Sequence, residues 1–181
     1  AANTIVETFT ETDYALSARM FIAKEAVKNK DYKTALTHLG VIREVFASDL
    51  QAAEALAMMG DIYLEQKRYK EADECYKAIL AVKEWKGKLW PRALYGRGEC
   101  SIGMGKLSEA CVYYERIYVM YSFYKDWASK AYLKRGQCLA NLREYNKAVE
   151  TLREMLKHEE LSQFPEWKEA KQEIEKYEKR I

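Results

Sequence analysis

Glycines gather at Gly96, Gly98, Gly103 and Gly105, and a run of this kind can cradle a phosphate on its backbone N–H groups. The G-x-x-x-x-G-K pattern needs a lysine directly after its second glycine, but in the pair with that spacing, Gly98 and Gly103, Met104 follows. It also needs a preceding β-strand, and none is indicated. Ser122-Phe123-Tyr124-Lys125 matches the S-x-x-K pattern in which a lysine activates an acylating serine, yet the companion Ser-Asp-Asn and Lys-Thr-Gly segments are absent. His38 and His158 stand far apart in sequence. Cys75, Cys100, Cys111 and Cys138 form no C-x-x-C pair, which is far from zinc-ligand spacing. They read as packed thiols. Cys100 and Cys111 could face each other across one helical hairpin, which leaves a disulfide there open. No catalytic residue, metal or cofactor is expected, and the reading is non-enzymatic.

What the chain does carry is a repeated helical element. In Leu56–Leu80, LAMMGDIYLEQKRYKEADECYKAIL, Leu56, Met59, Gly60 and Tyr63 mark one short helix, and Tyr69, Ala72, Tyr76 and Ile79 a second. Ala35, Ala72, Ala110 and Ala148 recur at 72−35=37, 110−72=38 and 148−110=38 residues. Three other positions keep step with them. They are the small residues Ala23, Gly60, Gly98 and Gly136, the openers Tyr32, Tyr69, Leu107 and Tyr145, and the bulky Leu39, Tyr76, Tyr114 and Leu152. Two helices approach closely only where one side chain is Gly or Ala, and a bulky neighbour then fills the groove beside it. A fixed period of helical units predicts a repeat array rather than a single layered core.

The Leu-Gly-x-x-Tyr helix followed by an Ala-x-x-x-aromatic helix resembles the tetratricopeptide repeat. That resemblance covers roughly residues 13–160 and implies an all-α, right-handed α-solenoid of about four hairpins. They are expected at 13–47, 49–84, 90–124 and 127–158. Residues 1–12 would be a lead-in. Residues 162–181 form a charged helix with a narrow stripe of Trp167, Ala170, Ile174, Tyr177 and Ile181. Such a helix suits a C-terminal cap that covers the array and faces water. Ser48 with Gln51 matches a capping box at the second unit. At the inner turns, Gly105 has the family's usual residue, but Lys30, Lys67 and Arg143 replace it elsewhere. A left-handed backbone there would cost roughly 1 kcal/mol each, so either those turns differ or packing offsets the strain. The period, longer than the common ~34 residues, is similar to that of tetratricopeptide proteins of the bacterial envelope.

The resemblance further implies a concave groove lined by the first helix of each hairpin. Its residues would be Met20, Lys24, Ala57, Asp61, Arg92, Tyr95, Glu99, Lys130, Leu133 and Gln137. Asp61 and Glu99 would repel a carboxylate, so no clamp for a peptide's C-terminus is expected. A second candidate is the aromatic run Tyr113–Trp127. Tyr113, Tyr118, Tyr121 and Tyr124 either pack inside or form an exposed patch that anchors a partner. The expected function is protein–protein interaction or assembly. Alternatives are a homo-oligomeric module, suggested by the widely apolar first helix, and a helper domain of a larger protein. The chain opens Ala1-Ala2 with no Met and looks like a processed piece. A net charge of +2 opposes a nucleic-acid partner, and no run of about 20 apolar residues predicts membrane insertion. Composition suits cytoplasm and periplasm equally.

Overall fold

The computed structural model describes residues 12–47 and 49–181. Among them lie nine α-helices and no strand. They are α1 Asp13–Lys28, α2 Tyr32–Val45, α3 Leu50–Glu65, α4 Tyr69–Ala81, α5 Leu89–Gly103, α6 Leu107–Met120, α7 Lys125–Asn141, α8 Tyr145–Met155 and α9 Pro165–Glu178. The chain divides after Leu89 into two compact units. In the first, α1 packs on α2, α2 on α3 and α3 on α4. In the second, α6 packs on α7, α7 on α8, and α9 lies against both α7 and α8. This is an all-α fold of helical repeats.

The repeated positions explain the pairing. Ala23, Ala35, Ala72, Ala110 and Ala148 are fully buried, and so are Leu39, Tyr76, Tyr114 and Leu152. Gly60 faces the Tyr76 ring, Gly98 the Tyr114 ring and Gly136 the Leu152 side chain. A methyl group built on any of the three glycines would fall 2.6–2.7 Å from its partner. Their lack of a side chain therefore sets the spacing within each hairpin, and burying each bulky partner stabilises by about 2–3 kcal/mol.

The openers Tyr32, Tyr69, Leu107 and Tyr145 are each the first residue of a second helix. Four identical turns lead into them. The N–H groups of Lys30 and Asp31 donate to the carbonyls of Val27 and Ala26, and the same pair of bonds recurs at 67–68, 105–106 and 143–144. This is the Schellman arrangement, which needs a left-handed residue at its third position. Lys30, Lys67 and Arg143 have φ of 58°, 59° and 63°, and Gly105 has 76°. The turns do not change to suit the missing glycines, and the strain is carried by three long side chains that project into water.

Helix ends follow local chemistry. Thr12 caps α1 with its Oγ1, which accepts from the Ala15 N–H at 3.3 Å. The capping box at Ser48 lies outside the described residues. The fourth helix, expected to reach Glu84, stops at Ala81, because Val82 turns extended and a 3-10 turn at Lys83–Trp85 then buries Trp85. Pro165 opens α9, where its missing N–H costs nothing. Ala170, Ile174 and Tyr177 of α9 are buried, whereas Trp167 is half-buried and Ile181 lies exposed beyond the helix end. On α1, Tyr14 and Phe21 remain exposed, at 77% and 60%. No helix among the described residues is long and apolar enough to cross a membrane.

Candidate functional site

In the second unit, half-buried side chains from three helices adjoin. Tyr95 on α5 meets the Tyr114 ring edge-on, with centroids 5.4 Å apart, and leans on Trp127 of α7 at 5.4 Å. Lys130 lies 4.9 Å above the Trp127 ring. Lys134 bridges to Glu99 of α5 at 3.1 Å. Gln137 donates to Glu169 of α9 at 3.1 Å, and the buried Ser129 donates to Glu166 at 3.2 Å. Arg92 is half-buried on α5, one turn before Tyr95. The aromatic pair thus lies within a mixed field of Glu99, Glu166, Glu169, Lys130 and Lys134.

The expected groove residues divide. Tyr95, Glu99, Lys130 and Gln137 belong to this face. Leu133 and Met20 do not offer apolar contact, because both are sealed within their units, and Ala57 is buried as well. In the first unit, Lys24 and Asp61 remain exposed. Lys24 reaches Glu54 at 4.0 Å. Trp127 entered only as the end of the aromatic run, and Lys134, Glu166 and Glu169 went unrecognised in the sequence. Lys134 continues the 3–4 spacing of Lys130 and Gln137, so the signal for it was present; the two glutamates depend on how α9 docks.

Asp61 and Glu99 do more than line a surface. The Tyr76 hydroxyl donates to Asp61 at 2.6 Å, and that of Tyr114 donates to Glu99 at 2.7 Å. Each carboxylate follows the repeat glycine by one residue and satisfies a tyrosine oxygen that would otherwise be buried unpaired.

Of the two readings of the aromatic run, inside packing and an exposed patch, the burial of Tyr113, Tyr118 and Tyr121 matches the first. Tyr113 lies under Arg97 at 4.6 Å and donates to Glu109, Tyr118 stacks on Tyr132 at 3.8 Å, and Tyr121 meets Trp90 at 6.3 Å. All three are buried, and Tyr124 is half-buried. Helix α6 must seat against both α5 and α7, so its tyrosines turn inward. Its outer side instead exposes Val112, Val119 and Met120, with Phe123 following at 84%.

Burial holds the phenol groups of Tyr114, Tyr118 and Tyr132 protonated well above their usual range, and the nearby carboxylates add to this. Unfolded tyrosines ionise near pH ~10. Below that pH the contribution is fully present. Above it the unfolded chain loses protons that the fold retains, so stability falls by ~1.4 kcal/mol per pH unit for each such tyrosine. The last, buried fraction of the fourteen tyrosines should therefore ionise only as helix content is lost above pH ~10, with circular dichroism and tyrosinate absorbance followed together. Complete ionisation of the tyrosines while helix content holds would contradict the burial.

Models of the tetratricopeptide repeat match residues 53–84, 92–122 and 130–159. The chain belongs to the tetratricopeptide repeat family. Those ranges fall on α3–α4, α5–α6 and α7–α8. Among solved structures, a crystal structure of MamA superposes with a TM-score of 0.71 at 17% identity, covering 88% of this chain and 85% of that one. A second MamA structure gives 0.67 at 18% identity, covering 93% and 90%. Both likenesses are of fold. No curated protein matches the sequence. Tetratricopeptide proteins are in general protein-interaction scaffolds, and the fold supports that role here. Among the described residues, no group of three or more His, Cys, Asp or Glu could hold a metal ion.

Proposed function

We propose that this tetratricopeptide protein is a non-enzymatic scaffold that binds a protein segment on the α5–α7–α9 face of its second unit. The observation that carries the reading is the Tyr95–Trp127 pair, half-buried and flanked by Lys130 and Glu99. Tyr and Trp concentrate binding energy at interfaces because they bury large area at little conformational cost. Lys130, Gln137 and Arg92 supply hydrogen-bond donors beside the rings, and Glu99, Glu166 and Glu169 supply acceptors. A mixed-charge segment with an apolar anchor fits that field better than a free carboxyl terminus. In the first unit, taken by itself, Lys24 and Asp61 hold the corresponding helix positions and are proposed as a contact of their own.

The test uses the intact chain and a Tyr95→Ala, Trp127→Ala variant as baits against extract of the source cells. Every recovered partner is then titrated against both. At least a tenfold loss of affinity is expected, with helix content unchanged. A Lys130→Ala, Gln137→Ala variant, which touches no core residue, should lose less. Equal affinity for every partner across the three baits would remove this face from the proposal.

A further inference from the structure

In the first unit, lysine recurs where the fold has least use for it. Lys30-Asp31-Tyr32-Lys33 and Lys67-Arg68-Tyr69-Lys70 hold the same places in its two hairpins, 67−30=37 residues apart. Lys30 and Lys67 are the left-handed turn residues, with φ of 58° and 59°. Gly105 makes the same turn without strain, so the turn itself asks for no lysine. Lys33 and Lys70 are the second residues of α2 and α4, where the positive end of the helix dipole disfavours a cation. All four are exposed, and among the described residues none of the four forms an ion pair. The carboxylates nearest in sequence are engaged elsewhere. Glu25 pairs with Lys28, Glu71 pairs with Arg68 at 2.9 Å, and Asp31 accepts from the Thr34 N–H at 3.1 Å. Four cations that each break a local rule, with no partner inside the unit, point to a contact outside it.

The topology brings the two turns to one place. Helices α2 and α3 pack on each other across a short connection and so run antiparallel, which sets the start of α2 beside the end of α3. The α1–α2 and α3–α4 turns therefore share one end of the unit, roughly 10–20 Å apart at one to two helix spacings. Lys70 also borders an open cleft of about 390 Å³ floored by Leu56, Met59, Tyr63 and Cys75.

We infer that this end of the first unit docks an acidic protein segment, with its carboxylates on the two lysine pairs and an apolar side chain in the cleft. An extended chain advances about 3.4 Å per residue, so roughly three to six residues span the two turns. Lysine suits such a contact, because it presents a point charge on a flexible stem rather than a fork that demands one geometry. A nucleic acid fits less well. Glu65, Glu71 and Glu74 stay exposed around the lysines and would repel a continuous row of phosphates, whereas separated carboxylates can be spaced to avoid them. The surface shares no residue with the Tyr95–Trp127 face, so either can fail alone.

The probe is a fluorescent peptide of alternating glutamate and serine with one central leucine, titrated by anisotropy against the full chain. Its binding is expected to weaken as salt rises. Lys30→Gly, Lys33→Gln, Lys67→Gly and Lys70→Gln combined should lower the affinity about tenfold or more. The same variant should melt no lower than the parent, because two strained turns and two unfavourable helix charges are relieved. Tyr95→Ala with Trp127→Ala should bind this peptide as the parent does; a loss there would move the peptide to the other face and overturn the inference. So would no binding by the parent, equal binding by the lysine variant, or equal binding of a peptide with glutamine for glutamate. A lower Tm in the lysine variant would make the four residues structural and overturn it as well. Tighter binding of oligothymidylate than of the peptide would overturn the choice of partner in favour of a nucleic acid.

Discussion

Gly98→Ala is expected to destabilise the second unit by about 2 kcal/mol net, whereas Gly40→Ala should stabilise the first by up to ~1 kcal/mol. Both glycines sit inside helices, where alanine is intrinsically better by ~1 kcal/mol. The difference lies in what the added methyl meets. At Gly40 there is nothing within 4 Å. At Gly98 the methyl would lie 2.6 Å from two carbons of the Tyr114 ring and 2.9 Å from its oxygen. That ring cannot retreat, because it is fully buried, edge-on to Tyr95 and bonded to Glu99. At Gly136 the conflict is with Leu152, whose end can rotate, so Gly136→Ala should cost less. The first repeat supports that ranking, since Ala23 stands at the glycine position where the filler is Leu39. Urea midpoints of the variants give the order directly, and a Gly98→Ala protein as stable as the parent would refute the close-contact account.

The hairpin framework was legible because small, bulky and opening residues recur in register, and each role is local. The turns were legible in place but not in conformation, because Lys30, Lys67 and Arg143 argue by residue type against the left-handed backbone that their turn bonds require. Legibility ended where side chains from different hairpins meet. Leu133 and Trp127 share one helix, and only docking against α5 and α9 decides that the first is sealed and the second half-open. The aromatic run on α6 could be read as packing or as a patch, because composition cannot say which neighbours a helix has. One signal was present and unread. The residue after each small position is Lys24, Asp61, Glu99 and Gln137, and it is acidic only in the two repeats whose filler is tyrosine. That pairing follows from the need to satisfy a buried hydroxyl, and it assigns Asp61 and Glu99 to the hairpin interior as well as to the face.

Tyr114→Ala should remove about 3–5 kcal/mol, the cost of deleting a buried ring and leaving a cavity. That is a large part of the 5–15 kcal/mol by which a domain of this kind holds together. The loss has two parts, and they can be separated. Tyr114→Phe keeps the packing and removes only the hydroxyl, so it should cost about 1–2 kcal/mol, because Glu99 loses one donor and keeps Lys134. Tyr114→Leu with Glu99→Gln installs the filler and following residue that the fourth repeat already uses as Leu152 and Gln137 behind Gly136. A leucine does not fill the tyrosine's volume, so this variant should fall between the other two. It should also lie above the sum of its single substitutions, since the pair removes an acceptor together with its donor. Guanidinium unfolding followed by the fluorescence of Trp90 and Trp127 in the second unit reports each step. If Tyr114→Ala were no worse than Tyr114→Phe, the ring would not be the wedge that sets the α5–α6 spacing, and the argument from Gly98 would fail with it.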